Sequence, residues 1–406
     1  MSNFNSEYIK TASAEIELLY PRTKMSQGQK VVSKYVLNTK LIEGLKKTDE
    51  IYIHLYLKPL GDSLLFLSTV QATLDYISIT RPKTKLILYA QKDIKNLLKH
   101  CEVFRDAVYI DSVEKKFIDA SRKKSVVMIT DGDPFKFGSY GQVFNTENYV
   151  YPKFVEKENN KIIKQYRSRP ARYYLTFERE VGIVLTTDPN LSMPTFELKD
   201  SISLNNSIKK KGLSFNNKDI YISLTTFVHP KERQKQFGII RYLEVANNIQ
   251  KILSDKAIHF VLFAHKDEEV ESWDEVEKYI KDHKKLDVII YDDKNLEKIA
   301  YILARMNLNI GNDTGISHLA AVSRKDKQSK LTPTIITYSR HDFGKWSTGR
   351  DNVYPIYTKL AKYLTDNNKS LSRDKIDIKP WGKEEYAISI PVNKVVNEAI
   401  LHLKKI

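Results

Sequence analysis

The stretch Asn309-Ile-Gly-Asn-Asp-Thr-Gly-Ile-Ser-His-Leu-Ala-Ala-Val322 holds the residues best suited to gripping an anion. An apolar run ending at Ile310 leads into the polar turn Gly311-Asn312-Asp313-Thr314-Gly315. A helix is predicted to begin with Ile316 and to carry His318 in its first turn. Strand, glycine-containing turn and helix N-terminus in succession concentrate free backbone N–H groups, which suit a phosphate. Asp313 or Thr314 is the expected N-cap, and both glycines are expected to relieve backbone restrictions where a ligand comes close. A capped turn of no chemical role would use the same residue types, but His318 and a second polar turn at Asp62 favour a site. Asp62 follows Gly61 directly, beyond the apolar run Glu50–Leu57. It can cap the next helix, stabilising it by roughly 1 kcal/mol, or serve as a general base in a cleft.

The elements that must position these groups alternate. The run 50–57 reads as a buried strand, and the helix after Asp62 places Leu67, Val70, Leu74 and Ile77 on one face. Strands follow at 85–90, 107–110 and 125–130, with a short helix at 94–98; the last strand ends in Asp131-Gly-Asp133-Pro134. A second block repeats the pattern, with strands at 219–224, 259–264, 287–291, 307–310 and 332–338. Its helices fall at 241–253, 268–281 and around Leu296–Met306. Such alternation implies βαβ units and mainly parallel sheets. Two α/β domains meeting near residues 195–215 are expected to take a substrate in the cleft between them. Residues 1–48 form a mixed leader with helical periodicity around Lys34–Leu45. From Phe135 to Pro194 the alternation fails: Tyr140, Phe144, Tyr149, Tyr151, Tyr166, Tyr173 and Tyr174 stand among Lys and Arg. That mixture is read as a sugar- or peptide-facing insertion in preference to a base-stacking surface.

Composition narrows the function. A chain of 406 residues is long for a single core and fits two domains. A hydrophobic share of 41% with 29% charged residues is that of a globular protein. The net charge of +16, from 66 basic and 50 acidic residues, favours an acidic partner. The charge is spread evenly, with no basic arm, so nucleic acid is not expected. Cys101 is the single cysteine, which excludes an internal disulfide framework and a Cys-based metal site. Apolar runs such as 258–264 are strand-sized, and Met1–Glu7 has neither a basic nor an apolar signal region. A cytoplasmic protein is therefore expected. No Gly-x-Gly-x-x-Gly follows a strand and no Gly-x4-Gly-Lys-Ser/Thr occurs, which sets aside hydride-transfer dehydrogenases and P-loop NTPases.

Leu57-Lys-Pro-Leu-Gly-Asp-Ser-Leu-Leu65, taken with Gly311-Asn-Asp-Thr-Gly-Ile-Ser-His-Leu-Ala-Ala321, resembles the two signatures of the heptosyltransferase family, glycosyltransferase family 9. Leu296–Ala304 approximates the helix that precedes the family's second signature. Pro230–Phe237 is similar to its Lys-x-Trp-Pro segment, with Lys235 as the matching lysine, Phe237 in place of Trp and Gly238 in place of Pro. The resemblance spans roughly residues 50–350. The leader, the aromatic stretch, and Tyr338-Ser-Arg-His-Asp-Phe-Gly-Lys-Trp346 in place of Phe-Gly-Pro-Thr depart from the pattern.

The resemblance implies an α/β GT-B architecture: two Rossmann-like parallel-sheet domains facing across a cleft, with an N-terminal extension. The expected layout is an extension over 1–48, an acceptor-side domain over 49–200 with the insertion at 135–194, a nucleotide-sugar domain over 201–385, and a C-terminal helix over 386–406 crossing back to the first domain. The implied reaction is inverting transfer of a heptose or related sugar, commonly from ADP-heptose, with no cofactor and no essential metal. Asp62 is then the general base and Lys235 the cation on the leaving diphosphate. Gly61, Asn312, Asp313, Thr314, Gly315 and His318 bind substrate. Asp-x-Asp holds a metal with the diphosphate in the GT-A architecture; here Asp131 and Asp133 lie in the first domain and are read as a polar turn with an acceptor-binding role. The implied partners are a nucleotide-sugar donor and a glycan, lipopolysaccharide-type glycolipid or protein acceptor, with the inner membrane surface as a peripheral docking place. The competing expectation is a non-catalytic GT-B-like module serving a glycosylation or secretion complex.

Overall fold

The computed structural model describes residues 39–47, 49–55, 60–90, 92–104, 108–111, 127–130, 142–145, 156–158, 161–164, 168–265, 272–367 and 369–405. The leader to residue 38, Leu57–Pro59, the Asp131–Asp133 turn, and Tyr140, Tyr149, Tyr151 and Tyr166 lie outside them. The chain forms two compact units that divide between Pro194 and Thr195.

In the first unit, helix α1 (Thr39–Lys47) precedes strand β1 (Glu50–Leu55). Helix α2 (Leu60–Thr80), β2 (Lys85–Ala90), α3 (Lys92–Leu98), β3 (Val108–Asp111), β4 (Val127–Thr130) and β5 (Gln142–Asn145) follow. The five strands form one sheet in the order β3-β2-β1-β4-β5, every pairing parallel. Ile51, Ile53 and Leu55 of the central β1 are buried, and so is Tyr52 between them, as a parallel strand covered on both faces requires. The antiparallel pair β6 (Glu156–Glu158) and β7 (Lys161–Lys164) leads towards helix α4 (Arg169–Val181).

Helix α2 is enclosed on every side: Ser63 through Val70 are all buried. Helix α4 lies against it, Phe66 meeting Tyr173 edge-on at 6.0 Å and Tyr76 meeting Phe177 at 6.1 Å. Tyr173 and Tyr174 are therefore core residues, at 1% and 0% exposure, and not ligand-facing ones as the aromatic–basic pattern suggested. The hydroxyl of Tyr174 donates to Asp75 Oδ2 (2.5 Å), and Thr187 N–H and Gln71 Nε2 donate to the same carboxylate. The Asp75 carboxylate is thereby satisfied from within.

The second unit opens with the short strand β8 (Phe196–Glu197) and helix α5 (Ile202–Lys209). It continues β9 (Ile220–Thr225), α6 (Ile239–Ile252), β10 (Ile258–Phe263), α7 (Trp273–Asp282), β11 (Asp287–Tyr291), α8 (Leu296–Leu303), β12 (Leu308–Asn312) and α9 (Gly315–Val322). Then come β13 (Ser323–Arg324), β14 (Thr334–Tyr338), α10 (Phe343–Trp346), β15 (Val353–Tyr357), α11 (Lys359–Asp366), α12 (Leu371–Asp374) and α13 (Val392–Leu403). Six strands form an all-parallel sheet in the order β11-β10-β9-β12-β14-β15, while β8 pairs with β13. Strand β15 escapes the apolar-run reading because Pro355 interrupts it; as the edge strand it loses no ladder bond on its open side.

The core of this unit joins Ile222, Leu224, Phe260, Leu262, Leu308 and Ile310 of the sheet to Leu243, Ala246 and Ile249 of α6. Helix α13 closes the same core with Val395, Val396, Ala399, Ile400 and Leu403. Its apolar face thus packs within the second unit.

In each sheet the chain reverses its direction of winding beside the first strand, between β1 and β4 in one unit and between β9 and β12 in the other. In open α/β sheets, ligands settle beyond the carboxyl ends of the strands at such switch points. Asp62 follows β1, Lys235 follows β9 and Asp313 follows β12.

Candidate functional site

The site in the second unit is built around one buried carboxylate. Strand β12 continues through Gly311 and Asn312, two residues past the expected end, so the turn contracts to Asp313 and Thr314. Gly311 is required by space and not by backbone angle: a Cβ there would stand 2.4 Å from Ser317 Oγ and 2.9 Å from Thr225 Cβ. Neither Gly311 nor Gly315 has a positive φ, which corrects the dihedral argument made for both. Asn312 is fully buried. Its Oδ1 accepts from Phe237 N–H (3.1 Å), Tyr242 O–H (2.9 Å) and Thr337 O–H (3.3 Å), and its Nδ2 donates to Thr226 O (3.0 Å). It braces β12 against the segments that follow β9.

Asp313 is 3% exposed and faces three basic groups. His341 Nδ1–H donates to its Oδ2 at 2.6 Å, since an ionised carboxylate can only accept. Lys235 Nζ stands 3.7 Å from Oδ2, and His318 Nε2 stands 3.5 Å from Oδ1. Burial pushes the Asp313 carboxyl up, but the charges of Lys235 and His341 and the hydrogen bonds from His318 and His341 outweigh it, holding it well below the usual carboxylate range. It remains an anion throughout the neutral range.

Lys235 comes from the 3₁₀ stretch Pro230–Lys235, is itself buried, and pairs also with Glu232 at 3.1 Å. The chain then passes Phe237, whose ring meets Tyr242 edge-on, and Gly238 at φ 105°. Proline cannot adopt that angle, and glycine can. Above Asp313, burial and then the Asp313 charge raise the Tyr338 phenol well beyond its ordinary value, and it stays protonated.

Around this carboxylate, several buried polar atoms have no hydrogen-bond partner among the described residues. They are Thr314 Oγ1, Ser317 Oγ, His318 Nδ1 and Tyr338 Oη. Thr314 occupies the N-cap position of α9 without a side-chain cap bond, and the Asp313 side chain is engaged elsewhere, so neither expected cap is made. Unmatched buried groups cost roughly 1–3 kcal/mol each. Together with the N-terminus of an eight-residue helix, they form a donor-rich recess suited to an oxyanion.

In the first unit Gly61 and Asp62 lie in the first turn of α2, both half-buried. Arg169, the first residue of α4, sends Nη1–H to Asp62 Oδ1 at 2.5 Å. Its Nε–H donates to the Tyr173 hydroxyl at 2.6 Å, and its guanidinium lies 5.4 Å from the centre of that ring. Asp62 is therefore an oriented carboxylate, held by an arginine that a core tyrosine fixes in turn.

The model of glycosyltransferase family 9 (heptosyltransferase) matches residues 161–370, 210 of the 406. The chain belongs to glycosyltransferase family 9. This family-9 glycosyltransferase also superposes on solved structures of GT-B type. A glycosyl transferase family 9 from Veillonella parvula DSM 2008 gives a TM-score of 0.60 at 14% identity, covering 89% of this chain and 99% of that one. E. coli heptosyltransferase WaaC with ADP gives 0.53 at 13% identity, covering 87% and 99%. E. coli ADP-heptose lps heptosyltransferase II gives 0.52 at 12% identity, covering 87% and 98%. At such identities the likeness carries the fold. No curated protein sequence matches.

Of the residues singled out from sequence, the structure brings Lys235, Asn312, Asp313, Thr314, Gly315 and His318 of the glycosyltransferase into one cluster. Gly61 and Asp62 head α2 in the other unit, and Asp131 and Asp133 lie outside the described residues. Sequence reading assigned no role to His341, Tyr338, Tyr242 or Arg169. Tyr338 and His341 lie in the 338–346 segment that departs from the family pattern, while Tyr242 and Arg169 carry no such signal; each acquires its place through a contact made across the fold. Among the described residues, no helix is long and apolar enough to cross a membrane.

Proposed function

We propose that this glycosyltransferase moves a heptose or closely related sugar, with inversion, from a nucleoside diphosphate donor to a glycan, glycolipid or protein acceptor. ADP-heptose is the proposed donor. The observation that carries the reading is the recess at Asp313: a helix N-terminus, a buried lysine, and hydroxyls and one imidazole nitrogen that have no partner among the described residues, around a turn that only glycine at 311 permits. The diphosphate is assigned to that recess, and the ADP and ADP-heptose named for the similar E. coli proteins support the choice of nucleotide. As the acceptor oxygen attacks the anomeric carbon, the bond to the diphosphate breaks and its electron pair stays on the diphosphate. The α9 N-terminus and Lys235 receive that charge, without an essential metal. Asp62 is proposed to take the acceptor proton, oriented by Arg169. A lipopolysaccharide-type acceptor and cytoplasmic action at the inner membrane surface belong to the same proposal, supported by the +16 charge.

The test is nucleoside diphosphate release, with intact mass spectrometry of candidate acceptors, for the parent protein and Asp62→Asn. The substitution keeps the shape of the side chain and removes the base. Transfer should fall about 10²- to 10⁴-fold while donor affinity stays within a few fold. Undiminished turnover by the variant would remove Asp62 from the mechanism.

A further inference from the structure

The loop after β14 replaces the family's Phe-Gly-Pro-Thr with Tyr338-Ser-Arg-His341, and this replacement is what sets an imidazole against Asp313. Three features make that imidazole more than a structural filler. Its Nδ1–H is fixed on Asp313 Oδ2 at 2.6 Å, which leaves Nε2 on the far edge of the ring. The ring stacks on Trp346 at 5.0 Å and 19°, so its plane is set. The His341 side chain is 24% exposed where Asp313 is 3% exposed, so the anchored edge is sealed and the ring is open elsewhere.

We propose that Asp313 and His341 form a dyad that presents Nε2–H of the imidazolium to an oxygen of the bound diphosphate, making His341 a catalytic residue. The inference rests on the donor-site reading above. The charged groups around the ring come from every neighbouring element: Asp313 with Lys235 and His318 beyond it, Lys235 paired with Glu232, Arg340 paired with Glu385 at 2.9 Å, Asp342 capping Gly344 N–H, and Lys345 5.1 Å from the Trp346 ring centre. Asp313 holds the Nδ1–H, so an imidazolium here has its Nε2–H left to give to an arriving diphosphate. During transfer the bond from the anomeric carbon to the diphosphate oxygen breaks as the bond to the acceptor oxygen forms. The electron pair stays on the diphosphate, the acceptor proton goes to Asp62, and the Nε2 proton stays on His341 as its hydrogen bond to the diphosphate strengthens.

The experiment is calorimetric titration of ADP into the parent protein, His341→Asn and His341→Gln, at about pH 7.5, above the second phosphate ionisation near pH 6. In His341→Asn the amide nitrogen takes the place of Nδ1 and keeps the Asp313 contact; ADP affinity should fall roughly tenfold and kcat at saturating donor should fall about 10²-fold. In His341→Gln the amide nitrogen reaches towards the place of Nε2 and should restore part of the affinity. Parent-like ADP affinity and kcat in His341→Asn, or no recovery of affinity in His341→Gln over His341→Asn, overturns the dyad and leaves the donor site standing. Failure of the parent to bind ADP overturns the donor-site reading and the dyad with it.

Discussion

Asp313 and Glu178 are both buried carboxylates, one in each unit, and their surroundings drive them in opposite directions. Asp313 meets Lys235, His318 and His341 and stays ionised against its burial. Glu178, on α4, accepts one backbone hydrogen bond, from Leu185 N–H at 2.8 Å. Burial pushes it up to about 7; the Leu185 bond works against the rise, and the Asp75 charge adds to it. The lesson lies in what surrounds each group. Around Asp313, Thr314 Oγ1, Ser317 Oγ, His318 Nδ1 and Tyr338 Oη have no partner among the described residues, the condition of a site made for a ligand. Around Glu178 and Asp75 the polar atoms close on one another, the condition of a core that tolerates a carboxylate.

Removing the two charges should therefore give effects of opposite sign. Asp313→Asn is the larger. It leaves Lys235 and His341 beside a neutral amide, and kcat/KM should fall about 10³-fold. Unfolding free energy should drop by about 3 kcal/mol, seen in denaturant titration. Glu178→Gln should instead stabilise. The folded pKa of Glu178 lies above its unfolded value, so the folded state binds more protons between about 4.5 and 7, and stability is lost as pH rises through that window. At pH 8 the variant should exceed the parent by on the order of 2–3 kcal/mol, and the two should converge near pH 4. Destabilisation by Glu178→Gln at pH 8, or a neutral Asp313→Asn, would break the comparison.

A third cluster sharpens it. At the opposite ends of the second sheet's strands, His259 bridges Asp219 (2.9 Å) and Asp287 (2.6 Å) and stacks on Tyr221. Burial lowers its pKa, but the bonds and charges of the two aspartates prevail and raise it. A histidine raised in the folded state contributes fully below its unfolded value near 6.5, and that contribution is lost as pH rises through the folded value. His259→Gln should thus cost at most about 1 kcal/mol at pH 6 and nothing resolvable at pH 9, with turnover unchanged. A loss of transfer in this variant would show that histidine–carboxylate clusters do not divide by whether their polar atoms are satisfied.

The fold was legible because parallel strands covered on both faces read as apolar runs. Ile51–Leu55, Ile220–Leu224 and Ile258–Phe263 stand out, and the glycine–aspartate turns fall where strands give way to helices. Strand β15 was not legible, since Pro355 breaks its run and only its edge position explains it. In the site, the signature string marks Asp313, Thr314 and His318, but it does not express that Asn312 braces β12 or that Gly311 clears Ser317. His341 lies 28 residues beyond Asp313 and joins it only when β12 and β14 become neighbours. Tyr173 and Tyr174 misled for the converse reason: helical packing on α2, which a local aromatic–basic pattern cannot express, sends both rings into the core.

The most direct measurement of the central claim is calorimetric ADP binding, in the presence of EDTA, to the parent and to Gly311→Ala. A methyl at 311 would meet Ser317 Oγ and Thr225, displacing the start of α9 while removing no charge and no donor. If the α9 turn holds the diphosphate without an essential metal, the parent binds ADP under chelation and the variant, still folded by circular dichroism, loses about 100-fold or more in affinity. Equal affinity for the two proteins, or parent binding that requires added Mg²⁺ or Mn²⁺, would contradict the account.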